Sequence, residues 1–449
     1  MKSSPASYSL CLTVVCLITV MLSGFVCPPV FGQQTVSSFD RERGRMMLNT
    51  IKDDLKKNYY DPGFHGVDVE ARFKEADEKI KKASNLAQVF GSIAQFLIEL
   101  NDSHTFFLPP GRHFTTEYGW NMQMIGDKCY VVAVKPGSDA EAKGLKEGDE
   151  IYSLDGYGPV RENIWKINYF YHALRPAPGM RLVVIKPDGR EQQLDVMAKV
   201  TEGKRVIDLT GGGGGSDIFD LIRKQENEAR LHRHRYHEIG DDLFVWKMPA
   251  FDLEEPKIDE IVGKVRKRKT LILDLRGNSG GYEKTLLRLI GNLFDRDIKI
   301  GELKQRKGSK PITAKTRGDS FFPGKLVVLI DSQSGSAAEL FARVVQLEKR
   351  GTVIGDRSAG AVMRSRTHGH ELGVDTVIFF AASITDADIT MNDGKSLERL
   401  GVVPDELMLP APSDLAAKRD PILAYAASLA GVTIAPEKAG TMFPLEWRK

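Results

Sequence analysis

Leu329-Ile-Asp-Ser-Gln-Ser-Gly-Ser-Ala-Ala-Glu339 decides how this 449-residue chain is read. Leu326 to Ile330 is a continuous apolar run of strand length. It breaks into a Gly/Ser turn, and Ala337 to Lys349 then reads as a helix ended by Gly351. The turn places Ser336 at the helix N-terminus, where free N–H groups and partial positive charge favour a developing anion. A serine nucleophile needs this geometry, with the Ala337 N–H as an oxyanion donor. The plainer alternative is an N-cap serine. Ser334 is the rival nucleophile. Ser336 is preferred because the strand must turn before a side chain reaches the helix start.

Around this stretch, residues 217–411 alternate strands with helices, which argues α/β layers. Strands are expected at Asp242–Met248, Thr270–Leu275, Leu326–Ile330, Val353–Ile354 and Thr376–Ala382, and helices at Glu254–Lys267, Tyr282–Phe294 and Ala337–Lys349. Asp274-Leu-Arg-Gly-Asn-Ser-Gly-Gly281 follows the second strand. A glycine-rich turn there lets backbone N–H groups approach a reacting carbonyl oxygen, making Gly280 or Gly281 the second oxyanion donor. The tail, 412–449, carries one helix with Ile422, Leu423, Ala426 and Leu429 on one face.

Upstream, Gly211 to Gly215 and Ser216 close a flexible linker, 206–216. No Lys-Ser/Thr follows the glycines, so a phosphate loop is rejected. Residues 107–205 change to short strands punctuated by Pro136-Gly137, Asp155-Gly156 and Asp188-Gly189. The run Pro136-Gly-Ser-Asp-Ala-Glu-Ala-Lys-Gly-Leu-Lys-Glu-Gly-Asp-Glu-Ile-Tyr-Ser-Leu-Asp-Gly156 resembles bacterial PDZ modules. That resemblance implies a carboxylate-binding loop at Tyr118, Gly119, Trp120 and Asn121, with a peptide added as an edge strand. A PDZ-shaped spacer that binds nothing is the alternative. Residues 33–106 carry three amphipathic stripes: Leu48, Ile51 and Leu55; Val69, Phe73, Ala76 and Ile80; Val89, Ile93, Phe96, Leu97 and Leu100. These predict a small helical domain.

The N-terminus reads as a signal peptide, 1–32: Lys2, then the apolar run Leu10 to Leu22, then Val30-Phe-Gly32 before a cut ahead of Gln33. An uncleaved anchor is the other reading. Cys11, Cys16 and Cys27 lie in that leader, so the mature chain keeps only Cys129 and forms no internal disulfide. Cys129, within Cys129-Tyr-Val-Val-Ala-Val134, is expected as a small buried hydrophobe. A net charge of +3 gives no whole-chain argument for nucleic acid. Apolar residues at 42% and charged residues at 27% exclude wholesale disorder.

Taken together, Leu273-Asp-Leu-Arg-Gly-Asn-Ser-Gly-Gly281, Ser336-Ala-Ala-Glu339 and Leu397-Glu-Arg-Leu-Gly-Val-Val-Pro-Asp405 resemble the serine peptidase family of carboxyl-terminal processing proteases and the tricorn core. The resemblance implies a multidomain α+β protein: a helical N-terminus, a PDZ-like β-rich domain and an α/β peptidase core of ClpP/crotonase type. It implies a serine endopeptidase acting on protein or peptide substrates without cofactor or metal; export, periplasmic or secreted, is expected from the leader alone. An oligomer stays open, and no stable membrane span is expected once the leader is removed. The processing proteases use a Ser/Lys dyad. Here Ala361, in Gly355-Asp-Arg-Ser-Ala-Gly-Ala361, stands where that lysine would be, and an alanine accepts no proton. The tricorn-like branch has an upstream histidine and a downstream glutamate. Leu100-Asn-Asp-Ser-His-Thr-Phe106 supplies His104, and Glu398 occupies the Glu-x-x-Gly-Val-x-Pro-Asp run. His104 is then the general base for Ser336, and Glu398 orients or polarises the site. Asp102 and Asp393 are the rival acids, and Ser103 neighbours His104 and could contact it, although a serine near a helix end is usually a cap.

Two other readings remain. A catalytically degenerate peptidase fold would act as a peptide- or ligand-binding module, a reading that Ala361 motivates. A metal-dependent hydrolase would use His368 and His370 at i, i+2, or His232-Arg-His-Arg-Tyr-His237, but neither cluster has a third ligand at a familiar spacing. The basic run Lys264 to Lys269 reads as a solvated helix end.

Overall fold

The computed structural model describes residues 36–112, 114–202, 233–373 and 377–447. The expected leader, the glycine linker and His232 lie outside the described residues. The chain opens with α1 (Ser38–Asn58), α2 (Val69–Lys81) and α3 (Leu86–Ile98). Ser37, Asp68 and Asn85 cap them, each accepting a backbone N–H from the first turn. The three stripes meet: Leu48, Ile51, Leu55, Ile80, Ile93 and Leu97 share one buried cluster. That cluster also takes in Phe380, Ala382 and Ile384 from far downstream. The helices are therefore not a free-standing unit.

A short strand, β1 (Phe106–Leu108), follows. Next, β2 (Phe114–Glu117) leads into β3 (Trp120–Ile125), β4 (Lys128–Val134), the single turn α4 (Asp139–Ala142) and β5 (Glu150–Leu154). Then come α5 (Ile164–Tyr169), continued as a π-turn to Leu174, and β6 (Gly179–Ile185), β7 (Glu191–Met197) and β8 (Lys199–Glu202). Strands β3 to β7 form one five-stranded antiparallel sheet in sequence order, with β3 at its edge. Cys129 is buried in its core.

The remaining chain builds a parallel-rich sheet. Its elements are β9 (Arg235–Ile239), β10 (Leu243–Lys247), α6 (Glu255–Val265), β11 (Thr270–Asp274) and α7 (Glu283–Leu293). After the hairpin β12 (Ile298–Gln305) and β13 (Gly308–Ala314) come β14 (Lys325–Ile330), α8 (Ala337–Leu347) and β15 (Thr352–Gly355). The chain ends with β16 (Met363–Leu372), β17 (Ile378–Met391), β18 (Glu406–Leu407), α9 (Pro412–Ala416), α10 (Pro421–Leu429) and α11 (Pro436–Gly440). Six strands order as β18-β15-β14-β11-β10-β9, parallel except for β9. Leu271, Leu273, Val328 and Ile330 face α6, α7 and α8, while Ile272, Val327 and Leu329 face α10. Burial on both faces explains why these strands read as unbroken apolar runs.

Three expectations need correction. The tail, expected to carry one helix, carries α9, α10 and α11, and α10 and α11 cover the second face of the core sheet. Arg276 ties them in, pairing with Asp274 at 2.8 Å and with Asp420 at 2.7 Å. The reading showed no element between Phe294 and Leu326, yet β12 and β13 form a hairpin there. Polar residues interrupt its apolar alternation because only one face is covered. Finally, the strand expected at Thr376–Ala382 is the start of the fourteen-residue β17, which pairs with β16, β12 and β1. The β1–β17 register sets Phe106 opposite Ser383 and Phe107 opposite Ala382. This pairing carries the end of the helical segment onto the core.

Candidate active site

β11 and β14 are parallel neighbours, so their carboxyl ends lie side by side. Open α/β sheets place ligand crevices at such ends. The turn after β14 is pinned to the turn after β11: the Gly335 N–H donates to the Asn278 carbonyl at 2.8 Å. Asn278 is fully buried, and its Nδ2 donates to the Met248 carbonyl at 2.8 Å. Asp331 braces both turns, accepting the Gly277 N–H and the Gln333 N–H through Oδ1.

Ser336 is the cap residue of α8, with φ 53° and ψ −117°. A non-glycine residue in that region stores about 1–3 kcal/mol of strain, and such strain gathers at functional sites. Its N–H is held by the Ala361 carbonyl and by Glu339 Oε2, both at 2.9 Å. Its hydroxyl makes no capping bond, and the residue is partly exposed. The strained backbone thus frees the side chain from the ordinary N-cap role. Ser334 is the opposite case. It is fully buried, and its hydroxyl donates to the Leu275 carbonyl at 2.8 Å while accepting the Asp331 N–H at 2.9 Å. It braces the turn and is closed to substrate.

Gly280 packs directly under Ser336. A Cβ at Gly280 would come within 2.5 Å of Ser336 Cβ and 3.1 Å of the Ala337 nitrogen, and φ there is +105°. Glycine is needed on both counts. The Gly280 N–H donates to Asn278 Oδ1 at 2.8 Å, so of the two glycines named from sequence it is not a free oxyanion donor. The N–H groups of Gly281 and Ala337 take no part in the hydrogen bonds of the described residues. These two remain available.

His104 reaches the site through β1. Its ring is largely buried, and burial holds its pKa below the usual histidine value; Asp102 opposes that shift and Arg399 adds to it. Nδ1 lies 2.7 Å from the Ser103 hydroxyl. Ser103 Oγ lies 2.8 Å from Glu398 Oε2, and the Ser103 N–H donates to Oε1 at 2.8 Å. Glu398 Oε2 also accepts the Val362 N–H at 2.8 Å. A carboxylate only accepts, so the Ser103 proton points to Glu398 and its oxygen receives a proton from Nδ1. That fixes the tautomer and leaves Nε2 as the basic nitrogen. Burial pushes the Glu398 carboxyl up, against these three donors.

The link back to Ser336 is short. Ala361 accepts the Ser336 N–H, and its neighbour Val362 donates to Glu398. One dipeptide therefore joins the serine turn to the Glu398–Ser103–His104 chain. Ala361, the residue in the lysine position, contributes only backbone; its N–H donates to Glu339 Oε2 at 2.9 Å. Glu339 also accepts from Ser358 Oγ at 2.6 Å and the Gly360 N–H at 2.7 Å. Burial raises Glu339 to about 7 despite these donors. Sequence reasoning missed Glu339 and ranked Ser103 as a cap ahead of its contact with His104. The signal for Glu339 was its place three residues after Ser336, the capping-box spacing. Asp393 is far from His104 in role, paired with Arg343 at 2.6 Å.

The other candidates sort clearly. In the loop expected to bind a carboxylate, Tyr118 and Trp120 are buried, Asn121 faces out, and Gly119 has φ +74° against Ser138. The β3 edge beside it is not open. Ser332 Oγ donates to the Met124 carbonyl at 2.5 Å, Gln333 Nε2 to the Met122 carbonyl at 3.4 Å, and Gln123 Nε2 to Asp331 Oδ2 at 2.8 Å. Arg161 clasps the same junction, pairing with Asp356 at 2.5 Å. Of the histidines in the metal readings, His370 bonds Asp54, His234 bonds Asp252 and His237 bonds the Met442 carbonyl, while the buried Nε2 of His368 has no partner among the described residues. Among the described residues, no group of three His, Cys, Asp or Glu side chains is placed to hold a metal ion. Among the same residues, no helix is long and apolar enough to cross a membrane.

Residues 245–408 match Peptidase family S41. Tail-specific protease of Haemophilus influenzae is 24% identical over 341 residues, covering 72% of this chain and 46% of that protein. Putative tricorn protease homolog 2 of Streptomyces coelicolor is 22% identical over 406 residues, covering 84% of this chain and 31% of that one. C-terminal processing peptidase, chloroplastic, of Tetradesmus obliquus is 22% identical over 389 residues, covering 80% and 77%. The chain thus spans about half the length of the first relative and about a third of the second. Mature CPAF has a similar fold, with TM-score 0.63 and 16% identity over 84% of this chain and 95% of that one.

Proposed function

We propose, from a core that matches Peptidase family S41, that this chain is a serine peptidase of Ser/His type. The observation that carries the reading is the proton path Glu398–Ser103–His104, anchored one dipeptide away from a strained Ser336 with a free hydroxyl. His104 Nε2 takes the Ser336 proton as Oγ bonds to the scissile carbonyl carbon. The oxyanion formed is held by the N–H groups of Ala337 and Gly281. His104 then returns its proton to the leaving amine as the C–N bond breaks, which leaves an acyl-enzyme. Water, deprotonated by His104, attacks the ester and restores Ser336. Glu398, acting through Ser103, stabilises the imidazolium formed in each half.

The substrate class we propose is proteins or peptides, met outside the cytoplasm if residues 1–32 act as a leader. The 107–205 unit is the proposed substrate-recognition module. Because Ser332 and Gln333 bond the β3 edge, a peptide adding there must replace those bonds. The degenerate-fold reading is not favoured, because Ala361 loses a lysine that this proton path does not need.

A fluorophosphonate probe tests the proposal. The wild-type chain should be labelled at Ser336, and Ser336→Ala should not be labelled. Folded wild type that resists the probe at every pH would return the chain to the binding-module reading.

A further inference from the structure

We infer that Asp102 is a positioning residue for His104, holding the histidine turn in place by hydrogen bonds and setting its basicity by charge. The inference deepens the proposed reaction and rests on His104 as its base. Asp102 is 2% exposed, yet among the described residues no cation pairs with it. Its partners are four donors. Oδ1 accepts the His104 N–H at 2.9 Å, the Thr105 N–H at 2.7 Å and the Thr385 hydroxyl at 2.8 Å. Oδ2 accepts the Tyr59 hydroxyl at 2.8 Å. The two backbone N–H groups can only donate to it, and the two hydroxyls are placed to do the same.

These donors come from three separate parts of the chain. Tyr59 ends α1, His104 and Thr105 form the turn itself, and Thr385 lies on β17. The turn starts from Asn101, a non-glycine residue at φ +54°. A left-handed residue followed by a two-pronged side-chain-to-backbone contact is a stiff arrangement. Thr105 Oγ1 adds a second stitch to Thr385 at 3.0 Å. Asp102 is therefore where the helical segment, the histidine turn and the core strand are registered against one another. A shift of about 1 Å in a reacting group costs about 100-fold in rate.

The carboxylate never touches the imidazole ring, so it is not a member of the proton path. It acts on the ring through space. The charged and titratable groups facing His104 are Asp102 and, from the loop after β17, Glu398 and Arg399. Tyr59, Tyr60 and His65 lie behind Asp102 on the helical side. Burial and Arg399 both disfavour the imidazolium that catalysis must form, and Asp102 is the buried anion that favours it.

Two variants of the full chain test this. Asp102→Asn keeps the acceptor for the His104 and Thr105 N–H groups, and the Tyr59 hydroxyl can turn to accept, but the charge is gone. Its His104 titration, followed by NMR of ring-labelled histidine and assigned with His104→Gln, should move to lower pH. The acid limb of fluorophosphonate labelling should move with it, at a similar melting temperature. Asp102→Ala removes the latch as well, and labelling of the folded fraction should slow about 100-fold. An Asp102→Asn chain whose His104 titrates as in wild type overturns the electrostatic half. A folded Asp102→Ala chain labelled at the wild-type rate overturns the positional half. The NMR titration reads Asp102 directly, so it stands even if wild type proves unreactive, an outcome that sinks the peptidase reading instead.

Discussion

The serine turn, residues 331–339, takes its shape from a local strand–turn–helix pattern and is then braced from Leu275, Asn278 and Ala361, whereas the histidine turn, residues 101–105, is held by partners some 40 residues before it and nearly 300 residues after it. The first follows from local rules: a buried parallel strand, a Gly/Ser break, a helix start. The second has no local rule behind it. Its geometry comes from Tyr59, Thr385 and Glu398, three residues that meet only when the helical segment docks on β17. The proposed chemistry would thus join a locally determined nucleophile to a base placed by tertiary structure. Damage to packing should therefore harm the base first and the nucleophile last.

Substitutions can break or sharpen that contrast. The largest effect is expected from His104→Ala, which leaves the serine turn intact but removes the proton acceptor. Labelling and peptide turnover should fall about 10³-fold, with little change in melting temperature. A variant labelled at the wild-type rate would sink the base assignment. Next is Gly280→Ala, an attack on the serine turn from below. With 2.5 Å left between the new Cβ and Ser336 Cβ, labelling should drop about 100-fold, and circular dichroism should show a lower melting temperature. Equal labelling would mean that the turn yields without cost.

Ser103→Ala probes the distant partner alone. It should lower kcat/KM about 10-fold to 100-fold, chiefly through kcat, by the reasoning that applies to groups orienting a functional histidine. Ser103→Thr, which restores the hydroxyl, should recover most of the loss; failure to recover would show that the hydroxyl is not the link. Acidity gives a gentler test. Because His104 binds its proton less readily in the fold than in the unfolded chain, activity should persist below pH 6.5 and fall as His104 becomes protonated. The unfolded state binds more protons in that window, so this group's contribution to stability also falls as pH falls. Activity that fades with an inflection above the ordinary histidine value would contradict the burial argument. The smallest effect should come from Gln123→Ala, which removes one contact between β3 and Asp331. About a twofold change in turnover is expected, since Asp331 keeps its bonds to Gly277 and Gln333.

The contrast also explains what could be read from the sequence. Apolar runs buried on both faces announced β11 and β14, and the glycines after them announced the turns. Ser336, Ala337 and Gly281 were visible for that reason. Gly280 was visible as a glycine but not as one whose N–H is spent on Asn278, because that bond depends on the turn's exact path through space. His104 and Glu398 came from resemblance alone, since nothing in their neighbourhoods predicts that β17 brings them together. Ser103 was read first as a cap because a serine after a helix usually is one, and its true partner lies 295 residues away. The β12–β13 hairpin was hidden by charged residues on its open face. The apolar face of the tail helix was legible, but nothing in it tells which sheet face it covers.

The clamp between Arg276 and Asp420 has a consequence for how the molecule comes into being. Arg276 leads into the glycine turn that offers the oxyanion donor, and its second carboxylate partner is 144 residues downstream. During synthesis, the nucleophile and its histidine both leave the ribosome before that partner does. A nascent chain halted ahead of residue 420 would carry every reactive group yet lack the brace beneath the glycine turn. Such a chain should hold the glycine turn less firmly, since Arg276 would keep Asp274 as its one carboxylate partner of the two.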